Sequence, residues 1–361
     1  MLSVLAVAAA GCSSPAPPSS PRFVAAASLE GHGLPALVVV DTGGAVVKVL
    51  ANGGGGTFQA PVSYGTGSDP LSVAIADLDG DGHADLIVAS FSSDTVSLHP
   101  GLGGGSFGNP VGFPTGSGPV FVAVADFDGD GKPDLVVVDN LSSTVSVFLG
   151  TGGGAFAPRV AYATGRYPVA VAVADLDGDG KLDLAVTSFG TNSVGILMGN
   201  GDGTFQPSVP YATGAGPEGL VIADCDGDGK LDLIVANASG NSVSCLTGQG
   251  DGTFPGRIDS PAGTGPLSLV ALDLDGDGVL DLAVADFSAQ QVNPLIGDGK
   301  GSFTPGTPLF LGQGVTPLSI FAADLDGDGR LDLGFVGYEA NRVELLMGKA
   351  DGTFQLMGFP L

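Results

Sequence analysis

Six stretches of the chain carry the pattern Asp-x-Asp-Gly-Asp-Gly-x-x-Asp. Their acids are Asp77, Asp79, Asp81 and Asp85; Asp126, Asp128, Asp130 and Asp134; Asp175, Asp177, Asp179 and Asp183; Asp224, Asp226, Asp228 and Asp232; Asp273, Asp275, Asp277 and Asp281; and Asp324, Asp326, Asp328 and Asp332. Carboxylates at positions 1, 3, 5 and 9 of so short a segment repel one another unless a cation sits among them. Ca2+ takes six to eight hard oxygen ligands. Four carboxylates, a backbone carbonyl near position 7 and a water supply that number, which predicts about six calcium sites. Mg2+ suits the pattern less, because it seldom enters an all-protein oxygen cage. An Asp-Gly turn without an ion is the plainer alternative for a single copy; six complete copies in register argue against it.

The flanking residues indicate what positions these acids. Gly at position 6 permits a sharp backbone turn. A calcium loop between two helices needs Glu at position 12, but position 12 after Asp175 is Val186, inside an apolar run. The ligand set therefore closes at Asp183, and each loop is expected to join two strands.

The loops recur with a fixed step. Asp77, Asp126, Asp175, Asp224 and Asp273 are 49 residues apart, as are Phe58, Phe107, Phe156, Phe205, Phe254 and Phe303. Asp324 and Phe354 follow after 51, which places two extra residues between Phe303 and Asp324, around Gly312 to Thr316. A seventh, degenerate copy precedes them at Ser28 to Ala36, where most acids are replaced. In the repeat around Asp175, four strand-like runs are expected, at Val169 to Ala174, Leu184 to Ser188, Ser193 to Met198 and Thr204 to Tyr211. No helical stretch is evident. Four strands in about 49 residues, seven times over, predict an all-β fold: a seven-bladed β-propeller of four-stranded blades. A linear solenoid is the rival; solenoids of this period are usually helical and need polar caps, which the end repeats lack.

These residues resemble FG-GAP/VCBS-type repeats, the unit of the integrin α-subunit propeller and of many secreted bacterial proteins. The resemblance spans roughly residues 22–361, with the acidic loop and the GDGTF-type turn matching closely and the Gly-Pro before a first strand, at 118–119, more loosely. It implies a seven-bladed propeller with calcium in hairpin loops. Integrin function does not follow, since no companion domain or matching ligand logic is visible.

Composition limits the partners. The formal charge is −26, yet the six loops hold 24 of the 38 acidic residues and the remainder nearly balances 12 Lys and Arg. Six bound dications, each contributing +2 to −26, would leave about −14. A chain so poor in basic residues is not expected to bind nucleic acid. Residues 1–12 are read as a lipoprotein-type signal peptide, with an apolar LSVLAVAAA run and Gly11 before a lipidated Cys12; an ordinary secretory signal with an incidental Cys is the alternative. Residues 13–21 then form a Ser/Pro linker, and 22–361 the propeller. Export to the cell envelope or beyond is expected, with the membrane reached only through the lipid anchor, and the protein monomeric.

Other residue types that could carry chemistry are few. Cys225 and Cys245 fall in one repeat, consistent with a disulfide or with two buried thiols. His32, His83 and His99 are scattered, His83 being expected to be exposed at loop position 7, and they form no catalytic pattern with Ser, Cys or Asp. Tyr64, Phe113, Tyr162 and Tyr211 recur at one repeat position; packing between blades explains them more simply than sugar stacking. Arg166 and Tyr167 interrupt a Gly-rich turn and are candidates for specificity. The reading is a calcium-stabilised, non-enzymatic module that binds a protein or glycan. The alternatives are a propeller enzyme acting on polysaccharide (a lyase or hydrolase) and a purely structural surface repeat.

Overall fold

The computed structural model describes residues 21–29, 33–311, 314–338, 340–349 and 353–361. The signal peptide, Cys12, nearly all of the linker, Glu30 to His32 in the degenerate loop and Gly312–Gln313 lie outside them. The first strand starts at Pro21, so the linker boundary at 21 already lies within the fold.

Seven antiparallel sheets of four or five strands follow one another along the chain, with two small two-stranded sheets beside them. Blade four shows the plan: Pro168–Ala174, Asp183–Ser188, Ser193–Leu197 and Val209–Ala212 pair in sequence order. The fourth strand is shorter than the run expected from Thr204. Phe205 makes only an isolated bridge to Gly199, and Thr204 closes a turn through Asp202 instead. Every innermost strand begins with Pro, at residues 21, 70, 119, 168, 217, 266 and 317, and most then shift register by a bulge near their second residue. Pro lacks a ladder donor, so it is tolerated at a strand's first residue.

The second strands, such as Asp183–Ser188, are buried at every residue. They are covered on both faces, which accounts for their unbroken apolar runs. Innermost strands pack on one another around a ring, and the first, Pro21–Ala27, packs on the last, Pro317–Ala323. Among the described residues no strand is shared between the end blades. Closure is instead made by side chains: Val24 N–H donates to Ser319 Oγ at 3.1 Å, Asn52 Nδ2 donates to Leu325 O at 2.9 Å, and the rings of Phe58 and Phe359 meet edge to face at 5.4 Å.

That last contact is one instance of a periodic joint. Tyr64 meets Phe107, Phe113 meets Phe156, Tyr162 meets Phe205 and Tyr211 meets Phe254, with ring centroids 5.2–5.6 Å apart, always across two blades. Where the outer strand offers Ser260 instead of a ring, its Oγ accepts the Phe303 N–H at 2.9 Å. The recurring aromatics are thus inter-blade packing.

Candidate metal centres

Each acidic loop joins an innermost strand to the second strand of its blade, and position 9 is the second strand's first residue, as at Asp85 and Asp183. The loop folds on its own carboxylates. Asp175 Oδ1 accepts the Gly178 N–H at 2.8 Å and its Oδ2 accepts the Gly180 N–H at 2.9 Å. The same pair of bonds recurs in the other five loops. Gly178 and Gly180 have φ of +75° and +85°. Left-handed backbone at both positions is why Gly stands at 4 as well as 6.

The position-9 carboxylates are almost fully buried, with exposures of 0–1%. Asp183 Oδ2 accepts the Leu176 N–H at 2.8 Å and Oδ1 accepts the Gly199 N–H at 2.7 Å, tying the loop to the third strand's exit. Burial pushes this carboxyl above its ordinary range; the two backbone donors oppose that, and the charges of Asp177 and Asp179 add to it. Asp85, Asp134, Asp232, Asp281 and Asp332 are raised likewise, burial being the largest cause.

Positions 1, 3 and 9 converge. Oxygens of Asp77, Asp79 and Asp85 lie within 4.8 Å of one another, as do those of Asp126, Asp128 and Asp134, of Asp175, Asp177 and Asp183, and of Asp224, Asp226 and Asp232. These clusters do not include position 5. Asp130 Oδ2 is drawn to Lys132 Nζ at 2.5 Å, Asp179 to Lys181 at 2.6 Å, Asp228 to Lys230 at 2.9 Å and Asp328 to Arg330 at 2.5 Å. Side-chain bonds from the lysines hold the Asp130, Asp179 and Asp228 carboxyls below their ordinary range. Hard, anionic oxygens at 1, 3 and 9, with 5 at the rim, form a donor set that fits a calcium ion. The loops at 273–281 and 324–332 fold by the same backbone bonds.

Other sequence candidates have mixed fates. Cys225 and Cys245 are joined as a disulfide, with Cα atoms 7.0 Å apart, linking the loop to the third strand of blade five. His83 is half-buried rather than exposed, because its ring lies against the turn at Gly103. His99 is fully buried, and burial lowers its imidazole to about 4. Arg166 lies 5.3 Å from the centre of the Tyr167 ring.

Two features escaped the sequence reading. Asp94, Asn192 and Asn241, all with left-handed φ, accept the N–H of Gly118, Gly216 and Gly265 across blades at 2.7–2.9 Å. Their common step of 49, through Ser143, was the available signal. Glu218 stands where the other innermost strands carry Leu71, Val120, Val169, Leu267, Leu318 or Arg22. It is 3% exposed, Oε2 has no hydrogen-bond partner, and burial raises its carboxyl to about 8. The face opposite the acidic loops also exposes Leu141 (55%), Tyr167 (42%) and Phe189 (40%). These lie near one another: Phe189 N–H donates to Tyr167 O, and Asn140 Nδ2 donates to Pro168 O.

Fold and site together define an all-β, seven-bladed propeller frame with one acidic hairpin in each of six blades. The chain belongs to the FG-GAP-like repeat family, whose profile matches residues 29–88, 77–137, 126–186, 175–235, 224–284 and 281–335. No curated protein sequence matches it. Among solved structures, it is similar to an Agrocybe aegerita lectin that recognises non-reducing terminal N-acetylglucosamine (24% identity, TM-score 0.58, 81% of this chain and 80% of that one). It is also similar to a periplasmic gluconolactonase of Pseudomonas aeruginosa (16%, TM-score 0.62, 94% and 96%) and to virginiamycin B lyase of Staphylococcus aureus (14%, TM-score 0.56, 81% and 84%). At these identities the likeness concerns the fold.

Proposed function

We propose that this chain is an exported propeller, stapled by calcium in its acidic loops, that serves as a binding module for a protein or glycan. The observation that carries the calcium reading is the convergence of positions 1, 3 and 9, with a buried carboxylate at the base of each loop. Like charges gathered this closely are relieved by a dication, and an ion held there braces the hairpin between the two inner strands. Asp177 and its equivalents at position 3 would be ligands with little other structural duty, whereas Asp183 and its equivalents would hold both ion and backbone.

The ligand-binding part of the proposal rests on the opposite face. There, Leu141, Tyr167 and Phe189 expose apolar surface beside Arg166, away from the carboxylates. Apolar groups grouped on a polar surface commonly mark an interaction site. The similarity to a lectin makes glycans one ligand class to test. A glycan and protein array with and without EDTA tests the proposal. Binding that is lost in EDTA and in Tyr167→Ala and Phe189→Ala supports it; polysaccharide turnover overturns it in favour of an enzyme.

A further inference from the structure

The six acidic loops differ at position 7, which reads His83, Lys132, Lys181, Lys230, Val279 and Arg330. In four of them the cation at 7 closes onto the carboxylate at 5, as given above. The other oxygen of that carboxylate accepts the position-7 N–H: at Asp179, from Lys181 at 2.9 Å. Both oxygens of position 5 are then engaged, and one of the four negative charges is already compensated. The loops of Asp81 and Asp277 are different. Each takes only the position-7 N–H, at 2.8 Å from His83 and 2.7 Å from Val279. The reason lies in what the position-7 side chain covers. The lysine stems lie over Gly152, Gly201 and Gly250, long enough for the ammonium to return to position 5. The His83 ring and the Val279 methyls cover Gly103 and Gly299 in the same way, but they carry no cation back.

We infer that position 7 sorts the calcium loops into two affinity classes: a tight pair, at 77–85 and 273–281, and four weaker sites. The inference rests on the calcium reading above. For position 5 to serve as a ligand in the weak class, its carboxylate must leave the lysine or arginine, and that cation stays near the incoming dication. A unit positive charge roughly 6 Å from a divalent ion in water weakens binding about tenfold, less as salt screens it. Where no cation stands, the fourth carboxylate is available without that competition. The lysine and arginine side chains are 41–46% exposed, so exchanging them leaves the core untouched.

Calorimetric calcium titration of the chelator-stripped full chain at low salt tests this. The expected isotherm has two tight sites and four about tenfold weaker. Val279→Lys is expected to leave one tight site and five weak, and Lys181→Met to give three of each, with unchanged circular dichroism confirming the fold. Raising the salt to about 0.5 M should narrow the gap. Six equivalent sites, or variants that leave the stoichiometries unchanged while calcium still binds, overturn the two-class inference alone. No calcium uptake at any loop overturns the calcium reading and the inference together.

Discussion

Replacing Asp177 by Asn and, separately, Asp183 by Ala separates the two tasks assigned to one loop. Asp183 accepts two buried backbone N–H groups, at 2.7 and 2.8 Å. Deleting it strands both donors, at about 1–3 kcal/mol each. An unfolding entropy near 2.1 cal/mol/K per residue gives a domain of this size roughly 0.7 kcal/mol/K, so a 4 kcal/mol loss lowers Tm by about 6 °C. That drop is expected with or without calcium. Asp177 accepts one backbone N–H, from Asp179 at 3.1 Å, which an Asn oxygen can keep. Without calcium, Asp177→Asn is therefore near neutral, or slightly stabilising because one like charge is gone. With about 1 mM calcium and a Kd near 10⁻⁴ M, a site contributes about 1.4 kcal/mol, so this variant loses about 2 °C only when calcium is present. Six sites at that affinity together contribute roughly 8 kcal/mol, or about 12 °C, and a tenfold tighter pair adds about 2.6 kcal/mol to what chelation removes. Scanning calorimetry of both variants in calcium and in EGTA measures each quantity. An Asp177→Asn shift that is the same in both buffers, or a wild-type Tm indifferent to chelation, would refute the reasoning.

Glu218→Leu, which restores the residue type of its counterparts, should stabilise the protein in a pH-dependent way. Burial raises the Glu218 carboxyl from 4.5 to about 8, so its contribution is fully present below about pH 4.5 and is lost as pH rises towards 8. The variant should match wild type at pH 4.5 and exceed it by a few kcal/mol at pH 8.5; denaturant unfolding at the two pH values gives the difference, and equal gains at both contradict the assignment. Phe359 is half-buried, so Phe359→Ala should cost about 1–2 kcal/mol, less than a fully buried ring, and restoring bulk with Leu should recover part of it, both read by Tm. Intact-mass measurement after alkylation without reductant should find Cys225 and Cys245 unmodified, and reduction should lower Tm by about 4 °C, from a loss near 3 kcal/mol; labelling of either thiol in the native protein argues against the bond.

Much of this architecture is legible in the amino-acid sequence, because a repeat writes its local rules many times over. Position 9 is an example: Asp183 recurs as Asp85, Asp134, Asp232, Asp281 and Asp332, which marks it as required but not for what. The sequence suggested a metal ligand. The structure adds two buried N–H groups, one of them on Gly199, sixteen residues on and across the hairpin. Position 5 shows the reverse, since it is as invariant as position 9 within this chain yet turns to a neighbouring cation in four loops. Spacing alone ranks the two carboxylates equally; only side-chain direction separates them.

The aromatic residues mark the same boundary. The step of 49 that relates Phe107, Phe156 and Phe205 is a property of the chain, as is the step that relates Tyr64, Phe113 and Tyr162. That each member of one set meets a member of the other, in the neighbouring blade, follows from how blades pack. By itself the sequence determined the number of repeats, their strands and the placement of the acidic hairpins, because those depend on local periodicity and turn chemistry. The tertiary structure decided the closure of Phe58 on Phe359, the burial of Glu218 and the bond between Cys225 and Cys245, because each depends on where segments distant along the chain come to rest against one another.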